Sequence, residues 1–340
     1  MNKLAEFYKG KDILVTGGCG SVGSEVIRHL IRFDVKRIRS FDTNETAQFN
    51  LQEDLLEYKT LRTLIGDVRD KDRLKLAMKD VDVVFHCAAL KHVPMCEYNP
   101  FEAVETNVVG TQNVVEAARE EGIDNVLSIS TDKAVNPINT MGATKLLGEK
   151  LVMNASLGDT KTKFSCVRFG NVLNSNGSVI PIFLRQIKNG GPVTITSEEM
   201  TRFFMSMKDA VKLLLECVVD MKGHEIFILK MKSVKIIDLA NVIIKETSKK
   251  YGHDPKNIKI KTIGIRPGEK LYESLITEEE VSCIEDSGDI FILRPGINTP
   301  NYVQFDKKST SIKPDNYISK DTKLLSEDEI KQILIKEGIL

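Results

Sequence analysis

The stretch DILVTGGCGSVG, residues 12–23, decides how the chain is read. Asp12–Thr16 is a short apolar run with the character of a buried strand. A glycine-rich turn follows, and Ser24 to Phe33 carry a helical pattern. Gly18, Gly20 and Gly23 supply G-x-G-x-x-G spacing. Between a strand and a helix, the first such glycine permits the tight turn and the second lets backbone approach a pyrophosphate. The third lets the helix pack close to the strand. The helix N-terminus then turns its unpaired N–H groups toward the phosphates. Purely structural glycines are the plainer alternative, and the strand before and helix after favour a dinucleotide. Gly17, Gly20, Ser21, Val22 and Gly23 are the candidate cofactor contacts of this turn.

Outward from that turn the pattern repeats. Ile38–Phe41 reads as a second strand, and Asp42 ends it about 20 residues after the glycines. An acid there accepts hydrogen bonds from the ribose hydroxyls of NAD and repels the extra phosphate of NADP. No basic residue follows in Thr43-Asn44-Glu45, so NAD is expected over NADP. The other reading of Asp42 is a cap for a helix from Glu45 onward. Leu61–Ile65 is a third strand. After it, Asp67, beside Val68, either meets the adenine edge or opens the next helix. Val81–His86 is continuously apolar, as parallel strands are. Ala88 and Ala89 are small enough for the chain to pass close to a cofactor, and Lys91–Pro94 is a polar loop at the same edge. His92 alone reads as a surface or packing residue. Phe101–Glu121 is a long helix with Val104, Val108, Val115 and Ala118 at helical spacing. On it, Thr106 and Asn107 either face the cofactor or serve in capping and packing.

Leu127–Ser130 is the fifth strand, within LSISTDKAVNPINTMGATK, residues 127–145. Asp132 and Lys133 fall where this strand stops, and Thr144 to Val152 reads as a helix. Lys145, four residues after Met141, shares a helix face with it. An acid, two lysines and the Thr131 hydroxyl at a strand end form a set able to move protons. Five alternations of strand and helix predict an α/β fold, a doubly wound parallel sheet. Ligands in such sheets bind beyond the carboxyl ends of the strands. Gly17–Gly23, Asp42, Asp67, Ala88–Lys91 and Thr131–Lys133 share that edge.

The second half is less regular. Phe164–Phe169 is a sixth strand ended by Gly170-Asn171, Asn174–Gly177 a polar loop, and Asp209–Val219 a helix. Glu225–Lys230 reads as the last strand of the main sheet. Pro192–Thr196 and Met200–Phe203 are pieces of a separate lobe, with a helix over Ile236–Lys249 and a strand over Ile258–Ile263. Arg202, Arg266 and Lys270 are either diphosphate contacts, arginine being suited by its forked donors, or simply solvated. The expected division is a dinucleotide-binding domain of residues 1–172 and about 205–232. About 173–204 and 233–300 form a smaller substrate lobe, and 301–340 a tail with a short helix opened by the capping box Ser326–Glu329.

The 340 residues carry 48 basic and 48 acidic side chains, so no net charge draws the chain to nucleic acid or membrane surfaces. The six cysteines are scattered without a C-x-x-C pair, which argues buried thiols in a reducing compartment rather than a metal site. The opening MNKLAEFYKGKD lacks the apolar core of a signal peptide, and no run approaches the roughly 18 apolar residues of a membrane span. A cytoplasmic protein without membrane association is expected.

The set GGCGSVG, GDVRD, HCAALKHVP, STDKAVNP, MGATK, RFGNVLNSNGSVIP, MTRFFMS and RPGEKLYESL resembles the extended short-chain dehydrogenase/reductases. Within them it is similar to the UDP-N-acetylglucosamine 4,6-dehydratases of polysaccharide biosynthesis, from about Lys11 to Pro295. That resemblance implies hydride abstraction from carbon 4 of the sugar by NAD(P)+, elimination of water across carbons 5 and 6, and hydride return to carbon 6. It matches Asp132 to the general acid and Lys133 to the base at carbon 5. It matches Lys145 to the lysine at the nicotinamide ribose and Thr131 to a hydroxyl near the sugar. Lys91, Asn171, Arg202, Arg266 and Glu269 match substrate-side positions. A homo-oligomer with UDP-N-acetylglucosamine as substrate is implied, and no metal. Larger members carry a membrane domain ahead of this module, and none is read here. One departure stands out. Met141 occupies the place of the superfamily's tyrosine base, and a thioether cannot remove a proton. Asp132, Lys133 or a water held by Thr131 remain as bases for the first step. A UDP-sugar 4-epimerase is the alternative enzyme, and a non-catalytic dinucleotide sensor the alternative without chemistry.

Overall fold

Seven parallel strands form the centre of the computed structural model, which describes residues 3–157, 161–173, 175, 177–294 and 317–340. They are β1 (Asp12–Thr16), β2 (Arg37–Asp42), β3 (Leu61–Ile65), β4 (Val83–His86), β5 (Asn125–Thr131), β6 (Lys163–Phe169) and β7 (Glu225–Leu229). Two more, β8 (Ile284–Ser287) and β9 (Ile290–Leu293), complete a sheet ordered β8-β9-β7-β6-β5-β4-β1-β2-β3. The doubly wound parallel sheet is thus present. Its last strand is not β7, however, because β9 pairs antiparallel with β7 and β8 with β9. Sequence reading missed this hairpin because Ile290–Leu293 is only four residues long and buries just Phe291 and Leu293.

The order reverses at β1, which pairs with β2 on one side and β4 on the other. The crevice where a doubly wound sheet takes its ligand opens there. β1, β4 and most of β5 are buried along their whole length, which accounts for their continuous apolar character. His86 ends β4 inside the core, with Thr16 Oγ1 2.8 Å from its Nδ1 and Thr111 Oγ1 3.1 Å from its Nε2. Burial lowers its pKa to about 3, so it is a neutral strut.

The expected helix Phe101–Glu121 is a continuous run from Pro100 to Glu120 with a wide i→i+5 turn over Glu105–Val109. That turn shifts the buried face. Ala103, Asn107, Gly110 and Val114 point inward, while Val108 is only half-buried. Gly110 touches Val68 so closely that a Cβ would sit 2.6 Å from its Cγ2.

A second core surrounds Ile180, Phe183, Ile195, Leu239, Ile243, Ile330 and Leu334. Its frame includes the strand pair Val193–Ile195 with Ile260–Thr262, and a three-stranded sheet of Asn171–Val172, Thr201–Met205 and Lys232–Lys235. The closing helix Glu327–Lys336 has the expected capping box and packs into this core through Ile330 and Leu334. Residues 295–300 of the expected substrate lobe, 301–316 of the expected tail, and Asn174 and Asn176 of the expected polar loop lie outside the described residues.

Candidate active site

Three glycines of the first turn are forced by packing. Gly17, at φ +64°, takes the left-handed conformation, and a Cβ there would meet the Ala88 backbone at 2.7 Å. The strained position of the turn is therefore Gly17, one residue before the G-x-G-x-x-G motif begins. Gly18 is needed because Ser40 Oγ would lie 2.3 Å from its Cβ, and Gly23 because the Gly17 carbonyl would lie 2.2 Å away. Gly20 is the N-cap of the helix Ser21–Leu30, and its side chain-free face meets only the Gly17 carbonyl. Gly23 thus packs the helix against the turn at Gly17 and Gly18, directly after β1.

Asp42 closes this turn. Its Oδ2 accepts from the Cys19 amide at 3.1 Å and its Oδ1 from the Asn44 amide at 3.0 Å. The helix Glu45–Asp54 is capped by Asn44, not Asp42, so the capping alternative falls to the neighbour. Asp67 accepts from the Arg69 amide and guanidinium at 2.7–2.9 Å, while Asp70 caps the next helix. Burial works against the Asp67 charge, but Arg69 outweighs it and holds the carboxyl below its ordinary range. Val68 is buried against Gly110. Asn107 does not face the crevice. It clamps the chain after β4, exchanging hydrogen bonds with both backbone groups of Leu90 (2.8 and 3.0 Å) and donating to Thr144 Oγ1. This holds Ala88 and Ala89 against the glycine turn.

The end of β5 gathers the candidate acid–base groups. Thr131 Oγ1 and Lys133 Nζ each donate to Asp132 Oδ1 at 2.9 Å, in a single turn of 3₁₀ helix. Asp132 has no exposed surface, and its Oδ2 has no hydrogen-bond partner. Gly170, at the end of β6, clears the space in front of that oxygen, since a Cβ there would lie 3.3 Å from it. Burial works against the Lys133 ammonium, but Asp132 and Glu273 outweigh it and raise its pKa. Lys145 lies one turn beyond Met141 on the helix Thr140–Ala155 and donates to the Ile129 carbonyl. Burial holds its ammonium below the usual lysine range. Met141 is buried among Val93, Cys96 and Ala103.

These groups border a cavity of about 540 Å³ whose walls include Val22, Ala89, Lys91, Thr131, Lys133, Met141, Lys145, Asn171 and Arg266. Three side-chain atoms of its lining residues are buried without a partner, Ser130 Oγ, Asn171 Oδ1 and Ser178 Oγ, and Asp132 Oδ2 is a fourth such atom just behind Thr131 and Lys133. Buried polar atoms are normally satisfied, so this concentration marks a surface built to receive polar groups. Among the described residues no group of histidine, cysteine and carboxylate side chains could hold a metal ion.

Residues 13–295 match the family described as polysaccharide biosynthesis protein. The chain belongs to that polysaccharide biosynthesis protein family. An uncharacterized membrane protein of Methanocaldococcus jannaschii is 56% identical over 97% of each chain. A UDP-N-acetylglucosamine 4,6-dehydratase (inverting) of Campylobacter jejuni is 41% identical over 85% of this chain and 84% of its own. A UDP-glucose 4-epimerase of Rickettsia bellii is 40% identical over 96% of each. The chain spans about half of the capsular polysaccharide biosynthesis protein CapD of Staphylococcus aureus, 47% of its length at 44% identity. Among solved structures, Pen from Bacillus thuringiensis superposes with TM-score 0.90 at 40% identity, covering 98% of this chain and 99% of that one. No described helix is long and apolar enough to cross a membrane.

In this polysaccharide biosynthesis protein the expected substrate-side residues divide. Lys91, Asn171 and Arg266 line the cavity, with Arg266 exposed at its edge. Arg202 is buried and donates to the carbonyls of Thr201, Lys270 and Leu271, with Glu269 3.7 Å away. It ties the loop 266–271 to the strand Thr201–Met205. Lys270 donates to the Val135 carbonyl at 2.7 Å and so ties the same loop to the turn after β5. The residue that sequence reading passed over is Glu273, 2% exposed and 3.5 Å from Lys133 Nζ. It stands inside the quoted RPGEKLYESL, but its partner lies far away in sequence and no spacing announces the pair.

Asp42 supplies a test of this site. If Asp42 selects NAD, Asp42→Ala is expected to weaken NAD binding and shift the preference toward NADP, since a carboxylate there would repel a 2′-phosphate. Titration of both dinucleotides against the two proteins checks it. Tighter NADP binding by the unmodified chain defeats the assignment.

Proposed function

We propose that the chain is a sugar-nucleotide 4,6-dehydratase that uses NAD to remove water from UDP-N-acetylglucosamine, leaving a UDP-4-keto-6-deoxy-N-acetylhexosamine. The observation that carries this reading is the Thr131–Asp132–Lys133 set, half-buried but for a fully buried Asp132 whose Oδ2 is unpartnered. The residues present fit the cofactor. The crowded glycine turn stands beside a helix N-terminus, and Asp42, which ends β2 against that turn, is the carboxylate proposed to accept from the ribose hydroxyls of NAD. When bound, NAD supplies the hydride acceptor for carbon 4 and the donor for carbon 6.

The chain's own residues then have protons to move. Asp132, as a carboxylate, takes the carbon 4 hydroxyl proton through Oδ2, or through the Thr131 hydroxyl that donates to its Oδ1. Lys133 as a free amine takes the hydrogen of carbon 5, made acidic by the new ketone. Asp132 returns its proton to the carbon 6 hydroxyl, which leaves as water. Lys133 gives its proton back to carbon 5. Each group ends as it began, so one acid and one lysine suffice without a tyrosine. Lys145, held by the Ile129 carbonyl, is the lysine proposed for the nicotinamide ribose. Lys91, Asn171 and Arg266 bind the UDP-sugar, with Arg202 and Glu269 shaping the loop behind them.

A 4-epimerase is the second reading, favoured by the Rickettsia relative. Epimerisation moves hydride to and from carbon 4 and has no use for a second acid–base pair, which Asp132 and Lys133 supply. Incubation with UDP-N-acetylglucosamine separates the two, because dehydration gives a product lighter by one water and epimerisation an isomer of equal mass. In the same assay Met141→Leu is expected to keep most activity, since the thioether only fills space among Val93, Cys96 and Ala103. A folded, NAD-binding but inactive Met141→Leu shows instead that the sulfur matters.

A homo-oligomer belongs to the same proposal. Met95, Tyr98, Phe101, Val109 and Leu147 are large apolar side chains left exposed on adjoining helical segments, a patch suited to a second copy.

A further inference from the structure

Lys133 cannot act as a base while it carries an extra proton. Its Nζ lies 2.9 Å from Asp132 Oδ1 and 3.5 Å from Glu273 Oε1, and both carboxyls favour the ammonium. Were the proton handed to Asp132, that carboxyl would lose the capacity to accept one from the sugar hydroxyl. A third group is required, and Glu273 is the other carboxyl within 4 Å of Nζ among the described residues.

Glu273 is built for this. It is 2% exposed, and its Oε2 is buried without a hydrogen-bond partner. A carboxylate with an unpaired buried oxygen is costly, and a proton on the group removes that cost. Its backbone is fixed by Ser319, whose Oγ accepts from the Glu273 amide at 3.0 Å and whose amide donates to the Glu273 carbonyl at 2.8 Å. The charged groups facing it are Asp132 and Lys133 from the turn after β5, Arg202 with Nε 3.9 Å from Oε1, and Lys270 with Nζ 4.0 Å from Oε2. Burial raises the Glu273 pKa, and the Asp132 charge adds to the rise. Lys133, Arg202 and Lys270 pull the other way without cancelling it.

We infer that Glu273 is a positioning residue that holds the proton of Lys133. The N–H bond of the ammonium breaks, its proton forms an O–H bond on Glu273, and the nitrogen keeps the electron pair. That pair takes the carbon 5 hydrogen as a proton, and the carbon–hydrogen electrons pass into the enolate of the 4-ketone. When carbon 5 is reprotonated from Lys133, Glu273 returns its proton to the amine. The inference rests on the dehydratase reading.

Exchange of the carbon 5 hydrogen in deuterated water, followed by NMR with UDP-N-acetylglucosamine across neutral to alkaline pH, tests it. In the unmodified protein the rate is expected to be level over that range, because the proton moves within the site. Glu273→Gln keeps the shape but cannot take a proton. Its exchange is expected to fall about 10²-fold at neutral pH and then climb about tenfold per pH unit as solvent removes the lysine proton. Glu273→Asp keeps an acid and is expected within about tenfold of the unmodified rate, with a level profile. An unchanged rate in Glu273→Gln, or a lowered one that does not climb with pH, overturns the inference, as does an alkaline-climbing profile in Glu273→Asp. The last result decides the matter even if Glu273→Gln fails to fold. If the unmodified protein removes no water from the sugar nucleotide, the dehydratase reading itself has failed.

Discussion

Asp132→Asn is expected to lower dehydration of UDP-N-acetylglucosamine by about 10²-fold or more while leaving nucleotide binding intact. The amide has the carboxylate's size, so the turn after β5 keeps its shape, and Thr131 and Lys133 still find an oxygen at Oδ1. What is lost is the proton. Asp132 is assigned two transfers, taking one from the carbon 4 hydroxyl and giving one to the carbon 6 hydroxyl. Its variant should therefore fail before the sugar is oxidised as well as after. In single turnover the absorbance of reduced cofactor should barely rise. A normal rise followed by stalled water loss would move the first proton to Lys133, Lys145 or a water on Thr131, and near-normal turnover would remove Asp132 from the chemistry altogether. The unpartnered Oδ2, faced by Gly170, is the structural reason to expect the stronger outcome.

The second large effect concerns stability. Arg168, at the end of β6, is 1% exposed and pairs with Glu149 at 2.7 and 3.0 Å. It also reaches Glu280 at 2.8 and 2.9 Å and the Leu275 carbonyl at 2.9 Å. Arg168→Met fills much of the same space but strands Glu149, itself 3% exposed, without a cation. Removing one partner of such a pair costs about 3–5 kcal/mol. Denaturant unfolding should show a loss of that order, and Arg168→Met with Glu149→Leu should recover much of it because the deeply buried carboxylate is gone and Glu280, which remains, is partly exposed. A loss below about 1 kcal/mol for the single change would mean that water reaches Glu149 and the pair is not sealed. The arginine also pins the segment 275–280, so its removal is expected to loosen Glu273 two residues away.

What could be read in the sequence was what local chemistry writes there. β1 and β4 announce themselves because buried parallel strands are apolar almost throughout, and the glycine turn because its spacing meets a strand and a helix. Asp132 and Lys133 were placed correctly because a strand end is a local event. Three things were not legible. The wide turn at Glu105–Val109 leaves no mark on the residue pattern beyond a phase shift. The β8–β9 hairpin is short and half-exposed. Glu273 gains its meaning only when the loop carrying it folds back onto Lys133 across the sheet edge, and an isolated glutamate in a polar stretch looks like any solvated one. Arg202 shows the limit of a local reading: an arginine in a short piece of the smaller lobe is open to a diphosphate contact or to solvent, and three of its donor contacts go to backbone carbonyls.

The second core has a consequence for how the chain acquires its shape. Its residues come from three separated stretches, around Ile180–Ile195, around Leu239–Ile258 and at Leu325–Leu334. β1 to β6 are wound from neighbours in sequence and can assemble as the chain grows, because short-range closures cost little entropy. The second core must wait for the closing helix, since Ile330 and Leu334 are its last apolar plugs. A chain halted before Leu325 would then present a finished nucleotide-binding half beside an open, sticky face. Limited proteolysis of such a fragment should spare the main sheet and cut within 173–204 or 233–260, whereas the whole chain should resist at both.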